Sequence, residues 1–178
     1  MIPKETKSAL ERFAKRVVKQ ARTNLTKGKK NVSKELYDSL GYDLNVHKNS
    51  FSLFMIMEDY GQFQDLGVKG ANPSLVKNGR QKGHLGRFTF RNKMPPLEPL
   101  IKWAKFRNIR LRDAKGRFSK GNYRTIGFIL QKRIFAQGIK PSLFFTKPFV
   151  NAFKDLPEEV VEAFGLDLTD FISHTKTK

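Results

Sequence analysis

Glu58-Asp59-Tyr60-Gly61-Gln62-Phe63-Gln64-Asp65-Leu66-Gly67-Val68-Lys69-Gly70 separates two kinds of sequence. Before it runs the most apolar strand-like segment of the chain, Phe51-Ser52-Leu53-Phe54-Met55-Ile56-Met57. After it, Val68 to Pro96 carries basic residues, glycine and proline without a single acid. Glycine tolerates positive φ and close backbone approach, so the cluster predicts a shaped corner: a helical turn around Asp59–Asp65, with Tyr60 and Phe63 packed against a core. Gly67 and Gly70 would then aim the basic segment. The plainer alternative is an ordinary exit from a strand into a loop.

Upstream, Tyr42, Leu44 and Val46 alternate as a half-buried strand does, and the polar turn His47-Lys48-Asn49-Ser50 joins them to Phe51–Met57. The pair predicts an antiparallel hairpin. Its second strand is apolar on both faces toward its end, which predicts a cover on each face. Ser33 to Asp38 predicts short helical turns capped by Ser33. Leu10, Phe13, Ala14, Val17, Val18, Ala21 and Leu25 recur every three or four residues, predicting an amphipathic helix from Pro3 to about Thr26. Lys7, Arg12, Lys15, Arg16, Lys19 and Arg22 occupy its other faces, most simply as solvated charge. The basic cluster Lys27-Gly28-Lys29-Lys30 ends it.

Downstream, residues 68–96 predict an extended basic arm that orders on a partner, bearing Lys77, Arg80, Lys82, Arg87, Arg91 and Lys93, with a brief strand at Phe88-Thr89-Phe90. Pro95-Pro96 opens a helix over Leu97–Arg107. A second basic loop spans Arg110–Lys120, with turn chemistry at Asp113-Ala114-Lys115-Gly116. Asn122 can cap a helix to Gln137, and Gly138 can end it. An apolar, proline-punctuated connector holding Phe144 and Phe145 leads into one or two closing helices, the last started or kinked by Pro157. These helices are acidic (Asp155, Glu158, Glu159, Glu162, Asp167, Asp170), and an acidic end on a basic body suits head-to-tail contacts between identical subunits. A solvated helix face is the equal alternative.

The chain has 178 residues, 35 Lys+Arg against 16 Asp+Glu, and a formal charge of +19. That length fits a single domain over residues 1–178, here of the α+β class: a helix packed on a small antiparallel sheet, with helices toward the C-terminus. The charge favours polyanionic partners and would be relieved inside an assembly that supplies counter-charge. There is no cysteine, which excludes disulfides, thiolate catalysis and zinc sites built on Cys. No signal-peptide pattern or run of about 20 apolar residues is present, so a soluble chain made in a cytoplasm, without membrane contact, is expected. His47, His84 and His174 are scattered, and Gly79, Gly83 and Gly86 lack the Lys-Ser/Thr of a phosphate loop. Glu58, Asp59 and Asp65 are candidate magnesium ligands for a nuclease, but a capping or salt-bridging role suits them better. No enzyme, cofactor or metal site is expected. Charge alone supports non-specific phosphate contact, though no nucleic-acid-binding module is present.

The order of elements resembles the tail-completion, or head–tail joining (neck), proteins of tailed bacteriophages. The similarity lies in the opening amphipathic helix, then Val32 to Leu40, then a hairpin leading into Tyr60-Gly61-Gln62-Phe63-Gln64-Asp65-Leu66-Gly67. It continues in Gly138-Ile139 through Phe144, Phe145, Pro148 and Phe149 into a C-terminal helix. Asp113-Ala114-Lys115-Gly116-Arg117-Phe118 also resembles phage structural proteins. The segment Val68–Pro96 and the helix at Leu97–Arg107 depart from the shorter members. The resemblance implies a non-catalytic virion protein at the head–tail junction or tail, forming a homo-oligomeric ring around the DNA conduit. Its partners would be portal-proximal adaptor and tail proteins, with non-specific contact to packaged DNA. The assembly interface expected on this basis comprises Tyr60, Phe63, Gly67, Lys77, Arg80, Lys82, Arg87, Arg91, Phe144, Phe145, Glu158 and Glu159. The rival reading is a basic nucleic-acid-binding protein of the ribosome or nucleoid, and a metal-dependent nuclease stands third.

Overall fold

A computed structural model describes residues 3–28, 32–47, 50–72, 88–118 and 121–176, with side chains as far as residue 169. The fold is α+β. The chain divides into two compact units, Met1–Asp59 with Leu143–Lys178, and Tyr60–Ser142.

The first unit is built on helix α1, Lys4–Lys27, whose period of three and four buries Ala9, Phe13, Ala14, Val17, Val18, Ala21 and Leu25. The stripe takes Ala9 rather than the expected Leu10, which stays half-buried. Helix α2, Glu35–Ser39, starts from Lys34 at φ 61° without a side-chain cap, so Ser33 does not serve as one. Its C-terminal end is satisfied instead by Arg22, which donates to the Tyr37 carbonyl at 3.1 Å and the Leu40 carbonyl at 2.8 Å. Strands β1, Gly41–His47, and β2, Ser50–Ile56, form the expected antiparallel hairpin in the register Tyr42↔Met55, Leu44↔Leu53 and Val46↔Phe51. Ser39 Oγ accepts from the Glu58 N–H at 3.1 Å and so ties the end of β2 to α2.

Two apolar clusters hold this unit. Val18, Ala21, Leu25, Leu36, Leu40 and Phe144 form one, flanked by Tyr37, Tyr42, Met55, Met57 and Phe145. Phe13, Val17 and Ala152 form the other. Past Phe145 the chain makes two of its helices, the short Thr146–Phe153 and the long Leu156–Lys176. Both lie against α1. We number them α6 and α7, after the three helices of the second unit.

In the second unit, α3, Tyr60–Leu66, is followed by β3, Val68–Lys69, which pairs antiparallel with β4, Gly138–Ile139. Thr89 bridges in parallel to Lys69, so the expected brief strand at 88–90 is fixed on β3. Helices α4, Leu97–Phe106, and α5, Tyr123–Gln137, pack side by side. Gly127 permits their approach, since a Cβ there would stand 2.6 Å from Ile101 Cγ1. Asn122 caps α5 by accepting from the Arg124 N–H at 3.1 Å, and Gly138 ends it at φ 82°. Both were expected from the residue types.

Candidate assembly surface

The corner in front of the basic segment is a built object. Gly61 and Asp65, one turn apart, take the buried side of α3. That turns Tyr60 and Phe63 outward, 42% and 41% exposed, which corrects the expectation that both would be packed. Phe63 nevertheless meets Phe88 edge to face, with centroids 4.7 Å apart. Gly67 sits at φ 77°, where side chains are strained. Gly70 is needed for a different reason: a Cβ there would collide with the Ala136 carbonyl at the end of α5. The next two N–H groups donate to α5 carbonyls, Ala71 to Phe135 at 2.8 Å and Asn72 to Ala136 at 3.2 Å. The near end of the expected arm is therefore bound to α5. Ser142 closes the corner, its N–H donating to the Asp65 carbonyl at 3.0 Å and its hydroxyl to the Gln64 carbonyl at 2.6 Å.

Of the basic residues expected to reach a partner, Arg91 is exposed, whereas Lys77, Arg80, Lys82 and Arg87 lie outside the described residues, as do Gly79, Gly83, Gly86 and His84. Phe144 must be withdrawn from the interface. It is 1% exposed, among the largest fully buried side chains, because the connector carries it under α1. Asn24 donates to its carbonyl at 3.2 Å. Phe145 is half-buried and stacked on Phe149, centroids 5.9 Å apart.

The acidic helices also need correction. Arg16 of α1 reaches Asp155 at 3.4 Å and Glu159 at 3.2 Å, so Glu159 is engaged within its own chain. Asp167 has a role that no local sequence pattern announces. Pro3 precedes α1 and offers no side-chain cap, leaving the first-turn N–H groups to be satisfied from elsewhere. The Asp167 carboxylate accepts from the Glu5 N–H at 3.0 Å, the Thr6 N–H at 2.9 Å and the Thr6 hydroxyl at 2.9 Å. Burial opposes its ionisation, but these bonds, with help from the Lys4 backbone, outweigh that and hold its pKa below the ordinary aspartate value. A helix start without a local cap was the available signal; its distant partner had none.

Among the described residues of the first unit, several surfaces are open. The outer face of the hairpin shows Phe54 at 55% and Ile56 at 50% exposure, so the cover expected there is absent from the described chain. The outer face of α7 shows Val161 at 73% and Phe164 at 54%, with Leu166 and Leu168 also exposed. Glu158 and Glu162 share that face, and neither has an ion pair among the described residues. Lastly, α1, α2 and the start of β1 enclose an open groove of about 890 Å³. Lys15, Lys19, Arg22 and Lys27 line it over a floor of Val18, Leu40, Tyr37 and Tyr42, and the exposed Lys15 ammonium stands 3.5 Å from Glu11 one turn earlier on α1. The Arg22 guanidinium lies 5.1 Å from the Tyr37 ring centroid.

In the second unit, Arg112 and Arg110 both lie over Phe118, at 4.7 Å and 5.7 Å. Asp113 Oδ1 holds this tongue by accepting from the N–H groups of Lys115 and Arg117. No group of three His, Asp or Glu side chains suited to a metal ion occurs among the described residues. No described helix is long and apolar enough to cross a membrane. Compared with protein-family models, with curated proteins and with solved structures, the chain matches none.

Proposed function

We propose that this chain is a structural subunit of the head–tail junction of a tailed phage, one of a ring of identical copies surrounding the DNA conduit. The family resemblance supplies the virion setting. The observation that carries the assembly reading is large apolar side chains held outward on regular elements, on the hairpin and above all on α7. Scattered apolar residues are normal on a surface, but several on one helix face mark contact with another protein. Among the described residues no further strand pairs with the two-stranded hairpin, and its edges are a second means of joining copies. With +19 of formal charge, such a ring would favour a central polyanion. Mass measurement at moderate salt tests the reading. A discrete closed oligomer, or co-assembly with adaptor or tail proteins, is expected; a chain that stays monomeric alone and with those proteins would sink it.

The second reading, non-specific nucleic-acid binding, draws on the tongue at residues 110–118. Arginines stacked on an exposed aromatic ring suit phosphates and bases together. A monomer whose main affinity is for DNA, falling steeply with salt, would favour it.

A further inference from the structure

The basic groove and the outer face of α7 are complementary in charge and in hydrophobicity. Lys15 and Lys19 stand four residues apart on α1, and Glu158 and Glu162 stand four apart on α7. Both pairs therefore repeat at about 6 Å along a helix axis. Between the lysines and the opposite wall lies the apolar floor of Val18, Leu40, Tyr37 and Tyr42. Beside the glutamates project Val161, Leu166 and Leu168. Gly165 lies at the middle of that face, and a Cβ there would meet nothing within 4 Å among the described residues.

We propose that α7 of one copy seats in the groove of the next, with Glu158 and Glu162 on Lys19 and on Lys15, which exchanges its exposed pairing with Glu11 for the neighbour's carboxylate, and the Val161–Leu168 side on the tyrosine-lined floor. This rests on the ring reading and names the contact that would build the ring. It is a head-to-tail contact, since groove and ridge are different surfaces of the same unit, and such contacts close into rings or run on as filaments. An acidic helix fits better than a nucleic-acid strand. The floor is apolar, and Arg22, the one guanidinium in the groove, is turned inward onto the Tyr37 and Leu40 carbonyls. Glycine at position 165 is a poor helix former whose Cβ position meets no described residue, and a neighbour approaching closely would account for it.

The experiment is a charge exchange in the full chain, followed by mass measurement across a concentration series, with thermal melts to check folding. Glu158→Lys with Glu162→Lys, or Lys15→Glu with Lys19→Glu, is expected to raise the concentration at half-assembly by about tenfold or more. The chain carrying all four changes is expected to recover most of that loss. Gly165→Leu, at a position where a Cβ meets no described residue, should weaken assembly while leaving the melt in place. An oligomer unaffected by either reversal, or a four-fold variant that recovers nothing, would overturn this contact and leave the ring reading standing. A monomeric wild-type chain, alone and with adaptor or tail proteins, would overturn the ring reading itself. Loss of binding to a single-stranded oligonucleotide in Lys15→Glu/Lys19→Glu, with the mass unchanged, would assign the groove to phosphates and also overturn the proposal.

Discussion

Asp167 joins two helices through a single carboxylate. A carboxylate at a helix N-terminus satisfies orphan N–H groups and meets the positive end of the helix dipole. Here the carboxylate comes from α7, so the cap also ties α1 to α7. Its pKa is depressed in the folded chain, so its contribution is present above the unfolded aspartate value and is lost as pH falls through the folded one. Asp167→Asn should cost about 1 kcal/mol at neutral pH, the usual worth of a cap. The gap between variant and wild type should close as the pH drops below about 4. Melting temperature against pH for both proteins checks this; a gap of constant size would assign the loss to packing. Gly67 and Gly70 divide differently. At Gly67 the demand is a positive φ, so Gly67→Asn should be mild and Gly67→Val should cost roughly 1–3 kcal/mol. Gly70 is required by space against the Ala136 carbonyl, so Gly70→Asn should be no milder than Gly70→Ala. Denaturant midpoints of these four variants separate a dihedral demand from a steric one.

The aromatic packing of the first unit belongs to α1 and α6 together. Phe145, Phe149 and Phe153 follow one another at one-turn spacing, with ring centroids 5.9 Å apart at each step. Phe13 meets Phe149 edge to face at 5.6 Å. Phe13 is buried, whereas Phe153, at the far end of the row, is exposed. Truncating the buried ring removes transfer energy and leaves a cavity, so Phe13→Ala should cost about 3–5 kcal/mol. Phe153→Ala loses a partly solvated ring and should cost well under half as much. Urea denaturation followed by circular dichroism tests the ratio, and equal losses would contradict the burial assigned here. Periodicity made α1, α4, α5 and the hairpin legible, because a buried face recurs in sequence with the period of its element. The connector at 139–145 was not legible in the same way. Proline punctuation hides any period, so Phe144 read as a projecting residue when it is a core one. The ion pairs of Arg16 and the cap from Asp167 join residues more than a hundred positions apart, and no local pattern encodes such pairings.

At the scale of the whole molecule, the first unit is assembled from two separated stretches of chain, and the second is inserted between them. The insertion begins after Asp59 and ends before Leu143, so the glycine-rich corner at residues 58–70 is also its point of departure. On either side of the insertion the chain is anchored in one core: Met57 packs against the cluster that contains Phe144. The two ends are therefore held near each other by the first unit alone. Both of its apolar clusters, its hairpin and the Asp167 cap draw only on its own residues. A chain in which a short Gly/Ser linker replaces residues 60–142 should therefore fold, since closing a flexible loop costs little once its ends are close. It should retain a helical circular dichroism spectrum and a single cooperative melt. Because the groove and the outer face of α7 both lie in this unit, it should also self-associate at moderate salt. A helical but non-cooperative product would mean that the inserted unit is needed to fix the first. A cooperative monomer would instead move the assembly surface to the inserted unit, where Tyr60, Phe63 and Arg91 stand exposed.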